Sequence, residues 1–181
     1  MNLNLLTLAT IKTQLGLSVS TYDTQITAMI PIVSSDVRRI LNNNFDYEMI
    51  AYYSDSADTI SVIYRHNPLT LGTVIQGDYI PDDTYITGYN PLTGSYDISA
   101  TPTGDGTYIY PTISIAQWPT ISKMIWFRIS QLNTTSATAE KLTSVSYGPV
   151  SKSFADSEIN RRWNYPQALI DDLGPAMTKV G

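Results

Sequence analysis

His66 is the one histidine among 181 residues, and it is followed by Asn67-Pro68. Nucleophilic catalysis of the Ser-His-Asp kind would have to run through that turn, where a plain hydrogen-bonding role is the simpler reading. Asp78, Asp82 and Asp83 gather enough carboxylate oxygen to invite a calcium ion. Their spacing lacks the alternating ligands and distal Glu of a calcium loop, so they read as a solvated acidic loop. Asp171-Asp172 could share acid-base work with a third carboxylate, but a place near a helix end favours exposure. Neither a Gly-x-x-x-x-Gly-Lys phosphate cradle nor a Gly-x-Gly-x-x-Gly dinucleotide turn occurs. These residue types point away from an enzyme, and no catalytic, cofactor-binding or metal-binding residue is assigned.

Tyrosine is the remaining chemistry-bearing type. Of thirteen, Tyr79, Tyr85, Tyr89, Tyr96, Tyr108 and Tyr110 cluster in the middle of the chain. Such side chains serve cross-strand packing, protein interfaces and sugar-stacking surfaces. The same region is charged differently from its flanks. From Asp46 to Tyr110 nine acidic residues face one basic residue, Arg65, giving −8, whereas the flanks sum to +3 and the whole chain to −5. A mildly basic frame around an acidic, Tyr/Thr/Ile-rich segment describes a surface that sorts its contacts rather than one that performs chemistry.

The length allows one domain, or a small domain with an insertion, able to bury roughly 70% of its unfolded surface. Zero cysteines exclude disulfides and thiolate metal sites and leave the compartment open. No positive segment precedes a cleavable apolar core, and no apolar run approaches the ~20 residues of a bilayer span, so the expectation is a soluble, non-secreted chain. Asn133-Thr134-Thr135 matches a glycosylation acceptor, which has no use without secretion.

The elements that must position these residues begin as helices. Leu5, Leu8, Ile11 and Leu15 recur at helical spacing, with Thr7 as N-cap and Gly16 as the stop. Ser20-Thr21-Tyr22-Asp23 has the form of a capping box. Ile26, Met29, Ile30, Val33, Val37, Ile40 and Leu41 then share one stripe of a second helix, kinked at Pro31 and ended by Asn42-Asn43-Asn44. From Tyr47 the period changes to two. Strands are predicted at Ile60 to Tyr64, Thr73 to Ile75, Thr84 to Thr87, Ser95 to Ser99 and from Thr107 toward Ile115, separated by Gly, Pro, Asn and Asp turns. Helix returns from about Thr120 through Leu132, apolar on more than one face. A hairpin then turns at Gly148-Pro149, and a short helix starting at Pro166 carries Leu169, Ile170 and Leu173. The fold class is therefore α+β: a frame of about four helices with antiparallel hairpins over 1–71 and 116–181, and a β-rich insertion over 72–115. Its framing turns and distinct charge make the insertion a peripheral, replaceable element.

The pattern Ile11…Leu15-Gly16, then Asp23…Ile26…Met29-Ile30-Pro31…Ser34-Ser35…Val37-Arg38-Arg39-Ile40-Leu41-Asn42, resembles the N-terminal helix pair of the head-tail connector (head-completion, or adaptor) family of tailed double-stranded DNA phages. Asp55 to Ile60, the helix Ile121 to Leu132 and the hairpin Leu142 to Phe154 follow in the family order, and the likeness covers about half the chain. The phrases Gly77-Asp78-Tyr79-Ile80-Pro81-Asp82-Asp83-Thr84-Tyr85-Ile86 and Thr93-Gly94-Ser95-Tyr96-Asp97-Ile98-Ser99 are similar to small β modules of phage structural proteins.

The resemblance implies a structural ring subunit, commonly in twelve copies, made in the host cytoplasm and placed at the head–tail junction of the virion. There it would bind portal and a tail or neck protein and extend the channel through which DNA passes without specific binding. It implies no cofactor and no membrane. Subunit contacts are expected at Tyr147, Val150 and Phe154. The mix of aromatic, apolar and Arg side chains favoured at interfaces gives a portal-docking set of Arg161, Arg162, Trp163, Tyr165, Leu169, Ile170 and Leu173. The alternative is a β-rich surface binding module that recognises glycan or another virion protein. A small hydrolase ranks third.

Overall fold

Thr7 and Gly16 bound the first helix as their chemistry dictates. In the computed structural model, which describes residues 4–63, 69–133, 144–147, 150–153, 159–160 and 163–175, α1 spans Leu8–Leu15. The Thr7 hydroxyl accepts the Thr10 amide, and Gly16 adopts the left-handed conformation that ends the helix. Leu5 precedes the helix rather than joining its stripe. Helix α2, Asp23–Leu41, contains Pro31 within a single element. Its N-cap is Tyr22 with no side-chain cap bond, so the expected capping box does not form. The Ser20 carbonyl instead accepts the Asp23 amide in a turn, and Asp23 sits in the first helical turn, where its charge suits the helix dipole and pairs with Lys12 at 2.8 Å.

The chain divides into two compact units, 1–5 with 44–116 and 6–43 with 117–181. The second holds α1, α2, α3 (Trp118–Asn133) and α4 (Gln167–Asp172), which pack on one another. Its core takes Val33, Val37, Ile40 and Leu41 from α2 and Ile121, Met124, Ile125, Phe127 and Ile129 from α3; Leu132, by contrast, is exposed. Two-residue strands pair at Ile159–Asn160 and Tyr165–Pro166, so Pro166 caps α4 rather than opening it. The predicted hairpin is present as Ser144–Tyr147 against Val150–Ser153. Among the described residues no helix is long and apolar enough to cross a membrane.

The first unit is one six-stranded antiparallel sheet. Its strands are β1 (Met49–Tyr53), β2 (Thr59–Val62), β3 (Thr73–Gln76), β4 (Ile86–Asn90), β5 (Ser95–Ile98) and β6 (Gly106–Ser114), in the order β3-β6-β1-β2-β5-β4. A bridge between Val74 and Tyr85 brings the two edges together, so the sheet nearly closes on itself and few backbone groups are left at an edge. Met49, Ala51, Ile60, Val62, Ile75, Ile86, Tyr96, Ile98 and Ile109 point inward into one apolar cluster. Gln76 also donates to the Asn4 carbonyl at 2.9 Å, tying the N-terminal residues to this unit.

The α+β class stands, but the expected boundary at residue 72 moves. Residues 44–71 belong with the sheet, because β1 pairs with β6 and β2 with β5. The segment 72–115 is therefore not a peripheral insertion in a helical frame; it supplies four of the six strands.

Candidate functional site

In β1 every position is apolar or aromatic, and alternation decides which side chains turn outward. Met49, Ala51 and Tyr53 are buried, whereas Ile50 and Tyr52 face solvent. Tyr52 lies opposite Ser61 of β2, and Ile50 opposite Tyr108 of β6. Between Ile50 and Tyr53 the β1–β6 register slips by one residue, which sets Tyr53 opposite Gly106. Bulges of this kind re-aim side chains. Only a glycine fits at 106, since a Cβ there would lie 2.1 Å from the Tyr53 ring.

That ring position lets the Tyr53 hydroxyl donate to the Asp78 carbonyl at 2.6 Å, with the Tyr108 carbonyl at 3.3 Å. Burial, then the negative charge of Asp78, raises the Tyr53 pKa, so it remains a donor at neutral pH. Tyr79 follows in the left-handed region at φ 62°. Its carbonyl accepts both the amide and the hydroxyl of Thr103, at 2.7 and 3.2 Å, and its ring lies against Gly104, where an added Cβ would be 3.0 Å away.

The result is an open groove of about 620 Å³ on the sheet unit. Tyr52, Tyr53, Tyr79 and Tyr108 line it with Asp78 and Asp105, and Ser54, Thr59, Ser61 and Thr107 add hydroxyls. Its described lining includes no basic residue. Aromatic faces and acceptor oxygens can hold a cationic or polyhydroxylated ligand.

Of the tyrosines singled out from sequence, Tyr79 and Tyr108 reach this groove. Tyr96 is buried and stacks with Tyr89 at 4.8 Å, Tyr110 donates to Glu48, and Tyr85 lies by the edge bridge. Tyr52 and Tyr53 were missed, though the apolar run Met49 to Tyr53 was the signal. Asp82 and Asp83 follow Asp78 in the loop, Asp83 with left-handed backbone. Among the described residues no three His, Asp or Glu side chains gather as a metal site. His66 lies outside the described residues.

The portal-docking set divides. Arg161 and Arg162 lie outside the described residues. Tyr165, Leu169 and Leu173 are buried at 0%, 2% and 2% exposure in the core of their own unit and so offer no side chain to a partner. Trp163 and Ile170 are half-buried. Of the expected subunit contacts, Tyr147 and Val150 pair with each other through backbone, and Phe154 lies outside the described residues.

What holds Tyr165 inward is a cluster that no local pattern announces. Arg128 of α3 lies 4.4 Å over the Tyr165 ring, donates from Nε to its hydroxyl at 3.0 Å and from Nη2 to Asp36 of α2 at 3.0 Å, while the Tyr165 hydroxyl donates to Asp36 at 2.8 Å. Arg128 thereby ties α2 and its own helix α3 to the short strand Tyr165–Pro166 that leads into α4. Burial and the Asp36 carboxylate push the Tyr165 pKa well above its ordinary value, against the opposing pull of Arg128. Tyr165→Phe is expected to cost about 1.5–3 kcal/mol at pH 7, the range for hydrogen bonds to charged groups. Because the folded-state pKa is the higher one, the Tyr165 contribution is complete below about pH 10 and declines above it, as only the unfolded chain ionises there. Denaturant unfolding from pH 7 to 11 is expected to show a shallower alkaline loss in the variant; parallel curves would refute the linkage.

No family model, curated protein or solved structure matches the chain.

Proposed function

We propose that this chain is a structural, ring-forming subunit of the phage head–tail connector type, joining portal to tail and extending the DNA channel at the neck of the virion. The observation that carries the reading is the hairpin Ser144–Tyr147/Val150–Ser153 in the unit built from α1, α2 and α3: among the described residues its strands pair only with each other. Each strand of a two-stranded hairpin offers one outer edge to a further strand, and a neighbouring subunit is the natural source of that pairing. The order of helix pair, third helix and hairpin is also that of the connector resemblance. A net charge of −5 suits a conduit, because surfaces that grip DNA are basic.

Native mass spectrometry and electron microscopy of the purified chain, alone and with portal rings, test the proposal. Closed oligomers, or rings seated on portal, are expected. A chain that stays monomeric at micromolar concentration and leaves portal bare overturns it. The second reading, a β-rich surface binding module recognising glycan or another virion protein, draws its support from the aromatic groove of the sheet unit.

A further inference from the structure

We infer that the groove between the β1–β6 face and the Asp78-Tyr79 turn is a docking site for a Lys- or Arg-bearing peptide segment of a partner protein. The inference stands on the groove alone and holds or fails independently of the ring reading.

Three exposed rings set the recognition chemistry. Tyr52, Tyr79 and Tyr108 are 53%, 60% and 47% exposed although they line a concavity. Large aromatic surface in a concave site is the common anchor of a binding pocket. The face of a tyrosine ring is electron-rich and attracts an ammonium or guanidinium group.

Charge selects among possible occupants. Asp78 and Asp105 are both exposed and line the same groove, so a guanidinium lying on a ring has a carboxylate within the same wall. The surrounding unit carries nine acidic residues and one basic residue, a net −8. A concave site in such a field concentrates cations, and anionic or nucleic-acid ligands are repelled. A neutral glycan could stack on the same rings, but it would draw nothing from this charge. The complementary occupant is a basic segment.

The site is also fixed before binding. The Tyr53 hydroxyl holds the Asp78 carbonyl, Thr103 holds that of Tyr79, and Gly104 and Gly106 admit the Tyr79 and Tyr53 rings at close range. A wall already in place loses little conformational freedom when a ligand arrives.

The test is a fluorescence-anisotropy titration of the full chain with labelled Arg/Gly, Lys/Gly and Glu/Gly octapeptides, and with maltohexaose as a neutral competitor. The Arg and Lys peptides are expected to bind and weaken with salt, while the Glu peptide does not. Tyr108→Thr and Tyr79→Asn, the latter tolerant of left-handed backbone, leave net charge unchanged and are each expected to weaken binding about two- to fivefold. Asp105→Asn is expected to weaken it more than Asp46→Asn, which removes the same charge outside the groove. Circular dichroism of each variant separates lost binding from lost fold. Equal effects of Asp105→Asn and Asp46→Asn, or no effect of the tyrosine changes, would reduce the binding to the general field and overturn the site. Displacement of the Arg peptide by maltohexaose would assign the groove to glycan instead.

Discussion

Replacement of residues 72–115 by a short Gly/Ser linker is expected to erase the six-stranded sheet. What would remain is β1 and β2, a two-stranded hairpin that water alone does not sustain. The core cluster would lose Ile75, Ile80, Ile86, Tyr96, Ile98 and Ile109. Large buried apolar side chains contribute about 1.5–3 kcal/mol each, and whole domains are stable by only about 5–15 kcal/mol. The loss therefore exceeds what the unit can absorb. Far-UV circular dichroism and amide hydrogen exchange check it: the β contribution and the slow-exchanging amides of 49–53 and 59–62 are expected to disappear. Protection persisting in those two strands would show that the segment is dispensable after all.

That expected result reverses the sequence reading, and the reason is physical. Composition and charge change near residue 46, and turn residues surround residue 72, but neither feature encodes which strands pair. β6 completes both β1 and β3, and β5 completes β2, across separations that no local period reveals. β1 itself was hard to recognise as a strand. In Met49-Ile50-Ala51-Tyr52-Tyr53 the outward positions are as apolar as the inward ones, so the alternation that marks a half-buried strand is absent. Tyr52, one of those outward residues, also lines the groove.

Local chemistry was legible where it acts locally. Thr7 and Gly16 bound α1 because a cap and a left-handed stop depend on neighbours within four residues. The α2 stripe and the apolar α3 could be read from helical periodicity alone. The Asp36–Arg128–Tyr165 cluster could not, since its members are 92 and 129 residues apart in pairs. Without it, an aromatic residue beside two arginines reads as an interface. With it, Tyr165 is an internal tie, and the C-terminal helix belongs to its own unit.

Leu41→Ala in α2 is expected to cost about 2–5 kcal/mol, the range for a leucine truncated in a closed core. Leu41 is 0% exposed and closes a buried series with Val33, Val37 and Ile40, on a helix in contact with α3, where Ile125 and Ile129 are also buried. Its backbone has little freedom to follow the lost volume. The next residue, Asn42, is held in the left-handed conformation, and its amide and that of Asn43 bond back to Arg39 and Arg38. A cavity would persist rather than collapse, which places the cost toward the upper part of the range. Ile32 on the same helix is 47% exposed and provides the control: Ile32→Ala is expected to change stability by no more than about 0.5 kcal/mol, as surface substitutions do. Denaturant unfolding of both variants gives the comparison directly. Equal small losses would show that the stripe faces solvent or a partner, whereas a large loss confined to Leu41→Ala places the α2 stripe inside the helical core.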